Sequence, residues 1–386
     1  MAVEAAKLGL DEGRLARVGE TIAVDIAAER YDGAVVLVAR RGEVVHHEAI
    51  GLAERASGRR AVVDDVFHLF SIAKTFTASA TLLLADRGAL RLTDPVAEFI
   101  PEFAAKGKQR VTVGQLIGHT GGLPPDLPFV QPQDLGNTEA VALAVAEQAL
   151  IAPPGERVCY SPIGAYAVLA EIVRRVDGGK RSFRQFLDEE IFGPLGMRDT
   201  CLSLRPDLAA RRVPVTVRDH TPAIIPAAAL ESINVMLTES FEMPGASAIG
   251  TAADLFRWGE ALRRGGELDG VRILSPAILE FALRNHTGAE PNHIYDSMCE
   301  ARGWDPYPSN LGLGFFLRGS ETYTMPFGLT ASSGTFGGLG AGSTIFWVDP
   351  ERELVFVCLT SGTLEDSRNF ERMQKLSDLV LASVVD

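Results

Sequence analysis

The chain has 386 residues, 46% of them hydrophobic and 23% charged, a globular composition that excludes disorder, collagen-like repeats and a simple coiled coil. That length corresponds to about two to three domain units and is enough to build a large core without staples. With 37 lysines and arginines against 50 aspartates and glutamates, the net charge is −13, and no basic stripe offsets it, so neither nucleic acid nor an anionic membrane is an expected partner.

The chain opens MAVEAAKLGLDEGRLARVGE, charged and amphipathic rather than apolar as in a secretory signal. Leu15, Val18, Ile22, Val24 and Ile26 recur near helical spacing and predict a helix over 12–29. Two strand-like runs follow, GAVVLVAR over 33–40 and EVVHHEAIG over 43–51, with Arg41-Gly42 as the tight turn of a β-hairpin. After Phe67-His68-Leu69-Phe70 comes SIAKTFTASATLLLADRG, a helix ended by Gly88. The region from about Leu90 to Arg212 reads as mostly helical, punctuated by His119-Thr120-Gly121-Gly122 and Pro153-Pro154-Gly155. The stretch 222–244 is rich in proline and alanine and fits no element.

A helix resumes in TAADLFRWGEALRRGG, followed by a turn at Leu268-Asp269-Gly270. Strands are predicted over 312–318, 343–348 and 353–359, with Asp349-Pro350 turning between the last two, and a final helix over 367–384. Strands at both ends with helices between them indicate an α+β fold. The hairpin and the C-terminal strands form one antiparallel sheet flanked by helices, and the middle is a helical insertion beside it. The expected units are 1–75 with 220–386, and 76–219, with the site in the cleft between them. No apolar run approaches ~18–20 residues, so no membrane span is expected. Cys159, Cys201, Cys299 and Cys358 are far apart without a C-x-x-C, which predicts free thiols, no zinc site and a cytoplasmic location.

Ser71 and Lys74 lie three apart at the start of a predicted helix and therefore face one side. Serine attacks only when a base takes its proton, and a lysine serves when burial and the helix's positive end lower its pKa. The first helical turn also offers the Ser71 N–H to an oxyanion. Alone, S-x-x-K also fits an N-cap serine with a solvated lysine. Its apolar flanks bury the turn, where an idle lysine is costly. Tyr160 can act as a proton carrier beside a lysine, or pack at a loop–helix junction. The run from Gly334 to Gly342 permits close backbone approach and a second oxyanion N–H, or forms a hairpin bulge. It does not match a dinucleotide fingerprint, and the chain has no G-x-S-x-G, Walker A or H-E-x-x-H. His119 opens a loop and is expected to make structural hydrogen bonds.

The segments FSIAKTFTA, LTDPVAEFIPEF, VTVGQLIGHTGGL, PPGERVCYSPIGAYAVLAEIV, IFGPLGM, GTAADLFRWGEALRRGGELDGVRILSP and IFWVDPERELVFVCLTSG, in this order and spacing, resemble the serine β-lactamase and penicillin-binding-protein superfamily. Within it, the branch resembled is the class C β-lactamase-like one that includes family VIII carboxylesterases. The resemblance implies a β-lactamase/transpeptidase-like fold, acylation of Ser71, and Lys74 and Tyr160 as proton relay. It further implies an oxyanion hole made by the Ser71 N–H and a third-motif strand near Gly338-Leu339-Gly340, with Ala341 as the second donor. No cofactor or metal is implied.

Two departures from the family pattern bear on substrate. Pro162 stands where the Y-x-N asparagine is expected, and Gly338 where a lysine or histidine opens the third motif. Both losses remove polar anchors that an anionic, peptide-like substrate would use. The expected activity is therefore hydrolysis of a small carboxylic ester. An acyltransferase or amide synthase on the same acyl-enzyme, a D-amino-acid amidase or peptidase, a weak β-lactamase, and a non-catalytic binding module are the alternatives. The segments 124–136 and 222–244 are expected to line the acyl pocket, and 293–310, with Trp304 and Tyr307, either overhangs the cleft or is an ordinary surface insertion. Homo-oligomerisation is left open.

Overall fold

A computed structural model describes residues 4–386. The hairpin forms as its turn chemistry dictates. Arg41 and Gly42 both take positive φ, 54° and 85°, the geometry a two-residue hairpin turn requires. Its strands are Gly33–Arg40 and Glu43–Glu54, the second three residues longer than expected. The first strand then pairs antiparallel with the last, Leu354–Ser361, from Gly33 opposite Ser361 to Arg40 opposite Leu354. The two chain ends thus meet at the centre of one antiparallel sheet. Its seven strands run, edge to edge, Arg59–Arg60, Glu43–Glu54, Gly33–Arg40, Leu354–Ser361, Thr344–Asp349, Phe336–Gly340 and Phe316–Leu317.

The central strands read as continuous apolar runs because both faces are covered. Val35, Leu37, Val355 and Val357 face a core shared with Trp258 of the helix Ala252–Arg263. Gly259 lets that helix approach: a Cβ there would lie 2.7 Å from Val355 Cγ1. On the opposite face, Val36, Val38, Phe356 and Trp347 pack under the helices Glu12–Ala27 and Asp366–Ala382. Asp11 caps the former, accepting from the Arg14 N–H at 2.8 Å.

The helix Ala73–Asp86 is buried on every side from Ala73 to Leu84. It lies in the same hydrophobic cluster as the sheet and as Tyr166 to Val173 of the helix Gly164–Val176. The expected mixture of helix and antiparallel sheet is the architecture found. Three details differ. The middle region holds the helices Val113–Ile117, Thr138–Glu147, Gly164–Val176 and Phe183–Leu187 joined by long irregular stretches, because prolines at 95, 101, 124, 125, 128, 153, 154 and 162 interrupt helical runs. The stretch 222–244 contains a helix, Ala227–Met236. The strand expected over 312–318 is only Phe316–Leu317: Gly314 turns with φ 89° and sits where a Cβ would lie 2.1 Å from the Ala78 Cβ, so the chain bends against the central helix. Among the glycines, Phe336–Gly340 is a strand, where the resemblance places the third-motif strand. All four cysteines are buried and unbridged. Among the described residues no helix is long and apolar enough to cross a membrane.

Candidate active site

The site is built where the central helix begins against the sheet edge. Phe70, Ser71 and Ile72 form a single 3-10 turn before Ala73. Phe70 holds φ 48°, a left-handed conformation that costs a bulky residue about 1–3 kcal/mol. Neighbouring contacts hold it. The Leu69 N–H donates to Ala248 O at 2.8 Å, and His68 meets Phe70 edge-on at 4.2 Å. His68, pushed down to about 3 by burial, is neutral and bonds Ala246 O through Nε2 at 2.8 Å. One turn on, Trp258 Nε1 donates to Thr75 Oγ1 at 3.1 Å, tying the first helical turn to the sheet layer.

The glycine run explains how close the sheet comes. A Cβ on Gly340 would lie 2.4 Å from Leu69 O, on Gly342 2.6 Å from the Phe70 ring, and on Gly338 3.3 Å from Thr75 Cγ2. Alternate glycines thus let the strand lie flat on the Ser71 turn. Strand alternation also locates the N–H groups. The Arg318 N–H donates to Thr335 O, so the backbone groups of 335, 337 and 339 point toward the short edge strand. That strand pairs only as far as Gly337, which leaves the Leu339 N–H facing past its end. Ala341, the expected donor, instead sits in the turn after the strand, beside the cluster that contains Phe70. Gly338 lines the cleft with Ser71, while Gly340 pairs with Thr344.

Lys74 is 4% exposed. Its Nζ lies 2.9 Å from Ser71 Oγ and donates to Gly245 O at 2.9 Å. The rings of Tyr160 and Tyr166 stand with centroids 5.5 Å from it. Among the described residues it has no ion pair, and burial alone pulls it down to about 7. Tyr160 is buried too, and burial raises its phenol above the ordinary value, partly offset by the Ser71 hydroxyl. The sequence-predicted trio Ser71, Lys74 and Tyr160 is therefore together in one cleft. Such a set can take a proton from a hydroxyl at neutral pH and carry it over a short path.

Some contributors carry no sequence signal of their own. Gly245 supplies the carbonyl that holds Lys74, and a Cβ there would lie 2.5 Å from Pro162 O. Tyr166, whose hydroxyl donates to Ile117 O at 3.2 Å, completes the enclosure. The walls are apolar: Ile117, Leu311, Phe315 and Phe316 line the cleft. Ile294 packs against Tyr160 and Leu311, so the 293–310 segment does reach the site, while Tyr307 is buried away in a cluster with Tyr295 and Phe370. The 124–136 and 222–244 segments meet where the Glu242 N–H donates to Gly136 O at 3.0 Å, in an apolar cluster that extends to Phe70. Among the described residues no His/Cys/Asp/Glu group is arranged to hold a metal.

A family model described as Beta-lactamase matches residues 18–379. The chain belongs to this family. It is thereby an enzyme of the serine β-lactamase and esterase superfamily. Esterase/beta-lactamase LipL of Mycobacterium tuberculosis is 27% identical over 374 residues, covering 90% of this chain and 81% of that protein. Esterase EstB of Burkholderia gladioli is 32% identical over 263 residues, 61% of this chain and 66% of that one. Among solved structures, a penicillin-binding-protein homologue from Caulobacter crescentus superposes with a TM-score of 0.80 at 27% identity, covering 97% of this chain and 99% of that one.

Proposed function

We propose that the chain hydrolyses small, uncharged carboxylic esters through an acyl-enzyme on Ser71. The observation that carries this is the 2.9 Å contact between Ser71 Oγ and a buried amine brought down to about 7. Near neutral pH a large fraction of that amine is unprotonated and able to take the serine proton as Oγ attacks the ester carbonyl. Lys74, rather than Tyr160, is the base, because burial raises the tyrosine and keeps it a phenol. Tyr160 then passes a proton to the departing alkoxide and recovers one from Lys74. The Ser71 and Leu339 N–H groups hold the tetrahedral oxyanion. In the second half, water loses its proton along the same path, attacks the acyl carbon and releases the acid.

The substrate class follows from what lines the cleft. Among the described residues Lys74 is its one cation, already committed to the proton path, and its walls are apolar. A free carboxylate would find no fixed counter-charge there. LipL and EstB, esterases by name, support the same activity.

The test is intact-protein mass spectrometry with a p-nitrophenyl acyl ester series, following p-nitrophenol in parallel. The expected result is a burst with a transient acyl adduct on Ser71, absent from Ser71→Ala, whose turnover falls by about three orders of magnitude or more. Near-normal turnover in Ser71→Ala would overturn the mechanism. If added alcohol diverts the acyl product without changing donor consumption, the activity is transfer instead of hydrolysis.

A further inference from the structure

Tyr160 stands on a segment without regular structure, so no helix or sheet ladder fixes its ring. One residue supplies most of what does. His119 O accepts from the Cys159 N–H at 2.8 Å, and His119 Nδ1 accepts from the Ser161 N–H at 3.2 Å. The imidazole also stacks on the Tyr160 ring, with centroids 4.1 Å apart and planes inclined by 25°. A single side chain and its carbonyl thus grip the residues before and after Tyr160 and the ring itself.

The backbone of His119 is strained as well. It follows the helix Val113–Ile117 with φ 56°, in a position where a helix end favours glycine or asparagine. A histidine 4% exposed keeps that conformation only because its surroundings hold it, and the ring's own contacts are part of that hold. Because Nδ1 accepts, the neutral ring carries its proton on Nε2. Burial lowers the imidazole well below its ordinary value, and Lys74 lowers it further, which keeps the ring neutral.

We infer that His119 is a positioning residue for the proposed reaction, holding the Tyr160 hydroxyl in line with Ser71 through the Ser161 bond and the ring stack. This rests on the proposed proton path. His119 lines the same cleft as Ser71, and in this role it acts through Tyr160.

Two variants of the full chain separate the two contacts. His119→Phe keeps a flat ring and removes the acceptor. His119→Asn tolerates the left-handed backbone, keeps a short acceptor and removes the stack. With ethyl butyrate as probe, whose leaving alkoxide needs a proton, each is expected to lower kcat on the order of 10- to 100-fold while KM moves less than about threefold, the signature of a misplaced reacting group rather than lost binding. Near-UV circular dichroism reports the folded fraction against which kcat is scaled. The Tyr160 ring is followed in parallel by 13Cζ-tyrosine NMR, its signal assigned with Tyr160→Phe, and both variants are expected to displace it.

Wild-type kcat per folded molecule in both variants, or an unmoved Tyr160 signal, would overturn the inference. If a variant does not fold, the wild-type ring decides: 15N NMR is expected to show Nδ1 unprotonated and Nε2 protonated, and an Nδ1–H tautomer excludes the Ser161 bond. Ser71→Ala distinguishes the two levels. Near-normal turnover there defeats the proton path itself, whereas a Ser71→Ala down by about three orders of magnitude beside fully active His119 variants defeats only the role of His119.

Discussion

The Lys74 amine is suspended between two oxygens, Ser71 Oγ and Gly245 O, each 2.9 Å away. The two are not equivalent. A carbonyl can only accept, so Gly245 O fixes one N–H of the amine in either protonation state. When Lys74 is neutral, its lone pair is left for the Ser71 proton. Gly245 therefore orients the base, and its lack of a side chain is what allows the approach to Pro162 and Lys74.

Activity should follow the ionisation of that amine. With Lys74 at about 7, kcat/KM for a neutral ester is expected to rise with pH through about 7 and level off above it, since the unprotonated amine is the competent form. Lys74→Arg, which cannot lose its proton near neutrality, should be inactive at every pH tested. A pH–rate profile of the free enzyme checks this; a flat line from pH 5 to 9 contradicts it.

The same burial is a stability cost with a defined sign. In the unfolded chain the lysine returns to its ordinary 10.5. Between about 7 and 10.5 the native state binds fewer protons than the unfolded one, so raising pH across that window favours folding, and below it the full cost of Lys74 is felt. Lys74→Met should therefore be more stable than wild type at pH 6, on the order of 1–4 kcal/mol, with the advantage shrinking by pH 9.5. Urea unfolding at both pH values reads it. An advantage independent of pH would mean that packing, not charge, is responsible.

Tyr160 has a role that leaving groups can expose. A p-nitrophenolate departs without being protonated, whereas an ethoxide does not. Tyr160→Phe is expected to lose about 10²–10⁴ in kcat/KM, which reports acylation, on an ethyl ester and clearly less on the matching p-nitrophenyl ester. Equal losses on both would assign Tyr160 to orientation and remove it from proton transfer.

What the sequence revealed tracks how local each determinant is. Ser71 and Lys74 are three apart on one helix, so their meeting follows from helical geometry. The hairpin at Arg41-Gly42 and the terminal helices carry period and turn signals that burial reinforces. Tyr160 was legible only through its segment's resemblance to a family, because the 85 residues or so between it and Lys74 contain no geometric rule. The N–H that faces past the edge strand belongs to Leu339 and not to Ala341, the expected donor, for a similar reason: the glycines mask strand alternation, and the register is set by pairing with Phe316 and Phe346. Gly245 and Tyr166 are contacts across the fold, and nothing nearby in the chain announces them.

The glycine run gives the sharpest test of how the site is assembled. At Gly340 the obstacle to a side chain is backbone, Leu69 O at 2.4 Å, two residues before Ser71, so no rotamer change can relieve it. Gly340→Ala must push the strand from the Ser71 turn, moving the Leu339 N–H away from the reacting carbon. It is expected to cost about 1–3 kcal/mol of stability and at least about 10²-fold in kcat. Gly334, in the same run, has nothing nearer than Glu351 Oε1 at 3.7 Å and no left-handed φ, so Gly334→Ala should stay within about 0.5 kcal/mol and keep wild-type kcat. Thermal unfolding and ester kinetics on the pair decide the matter. Full activity in Gly340→Ala would show that the strand does not supply the second oxyanion donor, and loss in Gly334→Ala would show that the run acts through flexibility rather than close approach.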